Sequence, residues 1–101
     1  YILHLLTFKD YYGNELIDEI GLRMDNKWIP SPGMVYPLLR DLEANNYDRG
    51  WWAEPDKRSI RHYRITDDGL EYYNNIKRLY ESDLLDSLNI IKNTLDDIYR
   101  K

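Results

Sequence analysis

From Thr66 to Lys101 the chain runs without a proline, whereas all four prolines of the sequence stand at positions 30, 32, 37 and 55. Proline breaks helices from within, so the sequence divides into a front of short elements and a back that predicts one long helix. Thr66 suits the N-cap of that helix, and Asp67 and Asp68 stand in its first turn, where the helix dipole favours acids. Leu70, Tyr73, Ile76 and Tyr80 are spaced to pack back onto the front part. Beyond them Leu84, Leu88, Ile91, Leu95 and Ile98 alternate spacings of four and three, the seam of a coiled coil. Nothing else in the chain is left to cover such a stripe, and an exposed stripe is a solubility liability. A second copy is expected to cover it, giving a homodimer.

The front part reads as three short helices and a hairpin. "YILHLLTF" is a helix with Ile2, Leu3 and Leu6 on one side; "KDYYG" breaks it, with Gly13 at the turn. A second helix follows with Asn14 as cap, Glu15 in the first turn, and Leu16, Ile17, Ile20 and Met24 at helical spacing. "SPGMVYPLLRDLE" opens a third, running to about residue 46. "YDRGWWAE" and "IRHYRIT" are aromatic-rich strands joined by "PDKRS", where Pro55 and Asp56 are turn formers. Trp52 and Trp28 are expected to fill or cap the core. This order predicts a mainly α fold with a small β-hairpin: a winged helix-turn-helix over residues 1–66, which would bind DNA, followed by a dimerisation helix over residues 67–101.

Several function classes are excluded or disfavoured. The chain holds no cysteine and two separated histidines, so disulfides, thiolate zinc and cysteine nucleophiles are absent and no metal site or cofactor is expected. His4 and His62 have no nucleophile or carboxylate placed beside them by any motif, and no enzyme signature is present. The acid pairs at 67–68 and 96–97 suit helix ends and solvent better than a metal. No apolar run approaches the ~18 residues of a membrane span, and the cytoplasm is the expected location. The sequence opens on Tyr1 rather than Met, so residues are expected to precede it in the natural protein. Net charge is −4, but Lys57, Arg58, Arg61 and Arg64 fall within "KRSIRHYR" with no acid among them. A basic patch therefore survives at the hairpin, with Arg64 nearest the core.

The third helix carries the functional signal. Ser31 suits its N-cap and Pro32 its first position, where a missing N–H costs nothing. Val35, Leu38, Leu39 and Leu42 form the core stripe, which leaves Gly33, Pro37, Arg40 and Ala44 outward with Tyr36 beside them. Pro37 removes the hydrogen bond to the carbonyl of Gly33, so the first turns are expected to be distorted or partly 3₁₀. A helix front without bulky outer side chains can bring its backbone close to another surface, which suits a DNA major groove.

The stretch "KWIPSPGMVYPLLRDLE" resembles the recognition-helix region of the PadR family of bacterial transcriptional regulators, and "YYGNELIDEI" and "RHYRITDDG" resemble that family's second helix and second wing strand. The chain is similar to the short subfamily with a single C-terminal helix. The resemblance implies a dimeric repressor that occupies an inverted repeat in double-stranded DNA. Its DNA-binding residues would be Asn14, Ser31, Pro32, Gly33, Tyr36, Pro37 and Arg40, with Lys57, Arg58 and Arg61 on the wing. Asn14 departs from the tyrosine common after that glycine. The resemblance also implies release by a planar aromatic small molecule, for which Tyr72, Tyr73 and Tyr80 would line the pocket; the long helix has no tryptophan to sandwich it. The alternative is a winged-helix protein-interaction module without DNA binding, which would show no salt-sensitive affinity for duplex.

Overall fold

The structure is a computed structural model that describes residues 1–54 and 57–100; the side chains of Lys57, Arg58 and Ser59 fall outside the described set, as do Pro55 and Asp56, where the hairpin turn is expected. Its elements are α1 (Ile2–Leu6), β1 (Tyr11–Tyr12), α2 (Gly13–Arg23), α3 (Pro32–Ala44), β2 (Asp48–Glu54), β3 (Lys57–Ile65) and α4 (Asp67–Tyr99). Helices dominate, and the strands form one antiparallel sheet in the order β1-β3-β2. The winged helix-turn-helix with one long C-terminal helix expected from the sequence is thus the fold observed. No described helix is long and apolar enough to cross a membrane.

The core lies where the helical stripes converge. Leu5, Leu16 and Leu39 have no exposed surface and Val35 has 1%, so α1, α2 and α3 each contribute a fully enclosed side chain. Burying a leucine is worth roughly 1.5–3 kcal/mol, and these side chains hold three helices too short to persist alone. Tyr11 and Tyr63 close the core from the sheet side.

That closure corrects the reading of "KDYYG" as a plain break. Tyr11 and Tyr12 form a short third strand paired with Tyr63 and His62 of β3. Two residues carry too little periodicity to be read as a strand; a pairing partner far along the chain creates it. The start of α2 shifts with it. Tyr12, not Asn14, is the N-cap, with extended φ and ψ of −95° and 164°, and its N–H donates to Glu15 Oε1 at 3.1 Å. Gly13 is the first helical residue rather than a turn residue.

α3 is α-helical through Pro37, but its first turn carries a 3₁₀-type bond, as expected there. Its first turn is held by the Ser31 carbonyl, which accepts from both Met34 N and Val35 N at 3.0 Å. Ser31 is the N-cap by position, but its side chain makes no capping bond. Leu38, expected in the core stripe, is 45% exposed, and Leu42 is half-buried. Trp28 at 50% and Trp52 at 39% are also exposed rather than core. α3 ends at Ala44 with Asn45 as its C-cap; the next residue, Asn46, has a φ of 62° that suits asparagine and lets Tyr47 N donate to the Leu42 carbonyl at 2.8 Å.

α4 leaves the winged part through a tight corner. A Cβ on Gly69 would collide with the Tyr47 carbonyl oxygen, so only glycine lets the first turn of α4 pass there. Thr66 Oγ1 accepts from Gly69 N at 2.9 Å and donates to the Asn46 carbonyl at 2.6 Å. Tyr72 stacks on Tyr47 at 4.1 Å between ring centres, and His4 Nδ1 lies 2.6 Å from the Tyr73 hydroxyl. Tyr73 and Ile76 are half-buried as the spacing predicts, but Leu70 and Tyr80 are exposed at 43% and 54%. Past Ile76, α4 projects away from the rest, and the molecule is 62 Å long but 27 by 21 Å across.

Asp48, at the root of β2, is 1% exposed, and among the described residues neither carboxylate oxygen has a hydrogen-bond partner. Burial, reinforced by the charge of Glu43 and opposed by Arg61, pushes its pKa up from 3.8 to about 7. The folded protein therefore binds this proton more tightly than the unfolded chain. The associated stability is complete below about pH 4, falls as pH rises between roughly 4 and 7, and is gone above that window. Asp48→Asn should remove the fall: urea unfolding should find the variant more stable than wild type at about pH 8 by roughly 1–3 kcal/mol, with a smaller difference or none at about pH 5. Parallel stability profiles for the two proteins would show that Asp48 does not set this dependence.

Candidate nucleic-acid interface

The outward face of α3 stands free of the rest of the fold. Ser31, Pro32, Gly33, Arg40 and Ala44 are exposed and Pro37 is half-exposed, because Val35 and Leu39 draw the opposite side into the core. Among the described residues Arg40 has no ion-pair or hydrogen-bond partner, so its guanidinium is available to a ligand. Tyr36 lies back over the start of α2, where its hydroxyl donates to Asn14 Oδ1 at 3.1 Å. Asn14, which belongs to α2, is thereby brought to the recognition face.

α3, the start of α2 and the sheet enclose a groove of about 790 Å³ lined by Asn14, Tyr36, Arg40, Trp52 and Arg61, among others. Its far wall is tied to α3 by Glu43. That carboxylate accepts from Arg61 Nη2 at 2.6 Å and from Gly50 N at 3.2 Å, joining both wing strands to the helix. Arg61 also lies 5.2 Å from the Trp52 ring centre and is 26% exposed, so the first task of this cation is to hold the wing against α3. A Cβ on Gly50 would come within 2.6 Å of the Arg61 Nε and 2.9 Å of its Cζ, so glycine makes room for the guanidinium where it stands. Arg64 forms a two-pronged bond to Asp10, with Nη2 to Oδ2 at 2.8 Å and Nε to Oδ1 at 3.1 Å, and that bond holds the Asp10 carboxyl below its usual range. Trp51 stacks on His62 at 5.7 Å. The backbones of Lys57 and Arg58 begin β3, but their side chains lie outside the described residues.

On the other side of α3 a cleft of about 550 Å³ opens toward α4. Tyr72, Tyr73 and Tyr80 all line it, together with Trp28, Met34 and Leu38. Leu38, whose spacing fits the core stripe, and Trp28, expected as a core cap, are not legible as pocket residues in the sequence; the departure of α4 leaves room beside them. Desolvation and then the nearby Arg23 hold the His4 imidazole below its ordinary pKa at the edge of this cleft. The five seam residues are uncovered: Leu84 70%, Leu88 60%, Ile91 58%, Leu95 38% and Ile98 63% exposed. Among the described residues no cluster of three or more His, Cys, Asp or Glu could hold a metal ion.

Comparison with known proteins agrees with this architecture. The family described as "Transcriptional regulator PadR-like family" matches residues 2–75. A PadR-like transcriptional regulator from Bacillus cereus superposes with a TM-score of 0.68 at 25% identity, over 89% of this chain and 86% of that one. A Streptococcus transcriptional regulator gives 0.66 at 26% identity, over 90% and 87%. A transcriptional regulator from Clostridium thermocellum shares the fold at 0.65 and 24% identity, over 97% and 85%. No curated protein sequence matches the chain significantly. Because the family match runs from α1 into α4 and takes in every element that walls the groove, the chain belongs to the PadR-like family of transcriptional regulators.

Proposed function

We propose that this regulator is a dimeric repressor that reads an inverted repeat in double-stranded DNA, in the cytoplasm, and carries no catalytic centre. The observation that carries the reading is the free outward face of α3, with Arg40 unpartnered among the described residues at the mouth of a groove flanked by the wing. Residues 1–66 bind DNA: Ser31, Pro32, Gly33 and Pro37 allow α3 close backbone approach in the major groove, Arg40 contacts a base edge, and Asn14 and Tyr36 work beside it. Lys57 and Arg58 meet phosphate from the wing, with Arg61 behind them as anchor and secondary contact.

Residues 67–101 dimerise the chain through Leu84, Leu88, Ile91, Leu95 and Ile98. Two copies joined along that seam would carry their recognition helices about 34 Å apart, one turn of DNA. The apolar cleft beside Trp28 and Tyr80 supports an effector site for a planar aromatic molecule, since aromatic walls with a few hydroxyls suit such a ligand. Occupation would release DNA by favouring a dimer arrangement that cannot span two grooves.

Three outcomes are expected of this reading. Arg40→Ala should lose about 1–3 kcal/mol on a site selected from genomic fragments and less on random duplex; equal losses in fluorescence anisotropy would assign Arg40 to phosphate instead. Lys57→Ala with Arg58→Ala should flatten the log–log salt dependence, by roughly 0.9 for each phosphate no longer neutralised; an unchanged slope would mean that the tip is only solvated. Ile91→Glu should sediment as a monomer and lose tight binding to the selected site. A variant that stays dimeric would show that the seam is not the dimer contact.

A further inference from the structure

Tyr36 sits on α3, and its hydroxyl reaches across to α2, where it donates to Asn14. The position is made by Gly13. A Cβ there would stand 2.5 Å from Tyr36 Cε1 and 2.6 Å from its Cζ and hydroxyl oxygen, so the ring occupies the space a side chain would fill. Gly13 has no positive φ, so its backbone does not itself demand glycine; the ring it admits also packs against the core beside Val35 and Leu39. The contact also orients the amide of Asn14. Its Oδ1 accepts the Tyr36 hydroxyl at 3.1 Å, which leaves the amino group as the free end of the side chain. Among the described residues that amino group donates to nothing, and Asn14 is exposed on the wall of the groove.

An asparagine turned in this way is a donor and no longer an acceptor toward the groove. Duplex DNA offers acceptors both on base edges and on phosphate, and location separates them. Asn14 belongs to α2, and in a helix-turn-helix the helix before the recognition helix crosses the sugar–phosphate backbone. Contacts of that kind set register and orientation without reading sequence. We propose that Tyr36 is a positioning residue: seated on Gly13, it holds the Asn14 amide so that its amino group donates to a phosphate oxygen of the DNA backbone. The inference rests on the DNA-binding reading above and deepens it. Arg40 then reads sequence, while Asn14 and Tyr36 fix the depth and angle at which α3 enters the groove. Because the amide is neutral, it displaces no counterion, and its loss weakens binding without changing the salt slope.

Anisotropy titrations of the full chain on a selected site and on random duplex, at several salt concentrations, test this. Asn14→Ala should weaken both duplexes alike, by about tenfold or ~1.4 kcal/mol, at an unchanged slope. Tyr36→Phe keeps the ring on Gly13 and removes only the hydroxyl; it should lose part of the same affinity, and the double variant should be no worse than Asn14→Ala alone. Asn14→Asp still accepts the Tyr36 hydroxyl but turns a carboxylate toward phosphate, and should lose on the order of a hundredfold. Melting temperatures of these surface variants should match wild type. Tolerance of Asn14→Asp, additive losses in the double variant, or a loss confined to the selected site would each overturn the proposal while leaving the DNA-binding reading intact. A wild-type chain that binds neither duplex would overturn that reading and this one together.

Discussion

The crossing of α4 over the backbone of Tyr47 governs the shape of the molecule. Gly69 presses against the Tyr47 carbonyl at a distance no side chain allows, and the bonds of Thr66 to Gly69 and Asn46 hold that approach. Backbone in such close contact has few alternative arrangements, so the direction in which α4 leaves is set within its first turn. The Tyr47–Tyr72 stack and the His4–Tyr73 contact continue the lock for one more turn. Everything beyond Ile76 is then carried outward by that junction, and the position of the seam relative to α3 follows from the close approach at Gly69 and these contacts.

The wing is governed by a second constraint, electrostatic rather than steric. Glu43 reaches from α3 to Arg61 and Gly50, so the two walls of the groove share one carboxylate. Next to it Asp48 is buried, unpartnered among the described residues, with a proton affinity raised into the neutral range. A negative charge on Asp48 would compete with Glu43 for Arg61, and protonation of Asp48 removes that competition. The groove geometry and the ionisation of a residue outside it are therefore linked through a single guanidinium. Arg64 and Asp10 provide the matching tie between the sheet and the loop before β1.

Much of the fold was legible because the physics that selects it is local. Prolines confined to positions 30–55 separate short elements from a long helix, Pro32 after Ser31 starts α3 at the residue where it starts, and the Val35–Leu39 repeat turns Gly33, Pro37 and Arg40 outward. The elements that were misread share a cause. β1 has two residues and exists through its pairing with β3; the N-cap of α2 moved to Tyr12 because that strand ends there. Leu38 and Tyr80 have the spacing of residues that pack inward, and Trp28 is expected to cap the core, yet all three line a cleft between α3 and α4.

By itself the sequence determined which faces exist: an apolar stripe and a nearly bare front on α3, and an uncovered seam on α4, because helical periodicity assigns faces residue by residue. Tertiary structure alone decided what those faces meet. It took Arg61 from a basic run and set it on Glu43, turned the Asn14 amide with a tyrosine from another helix, and enclosed Asp48 without a partner among the described residues. Those outcomes depend on distances between side chains from different elements, and such distances are fixed only when the elements pack.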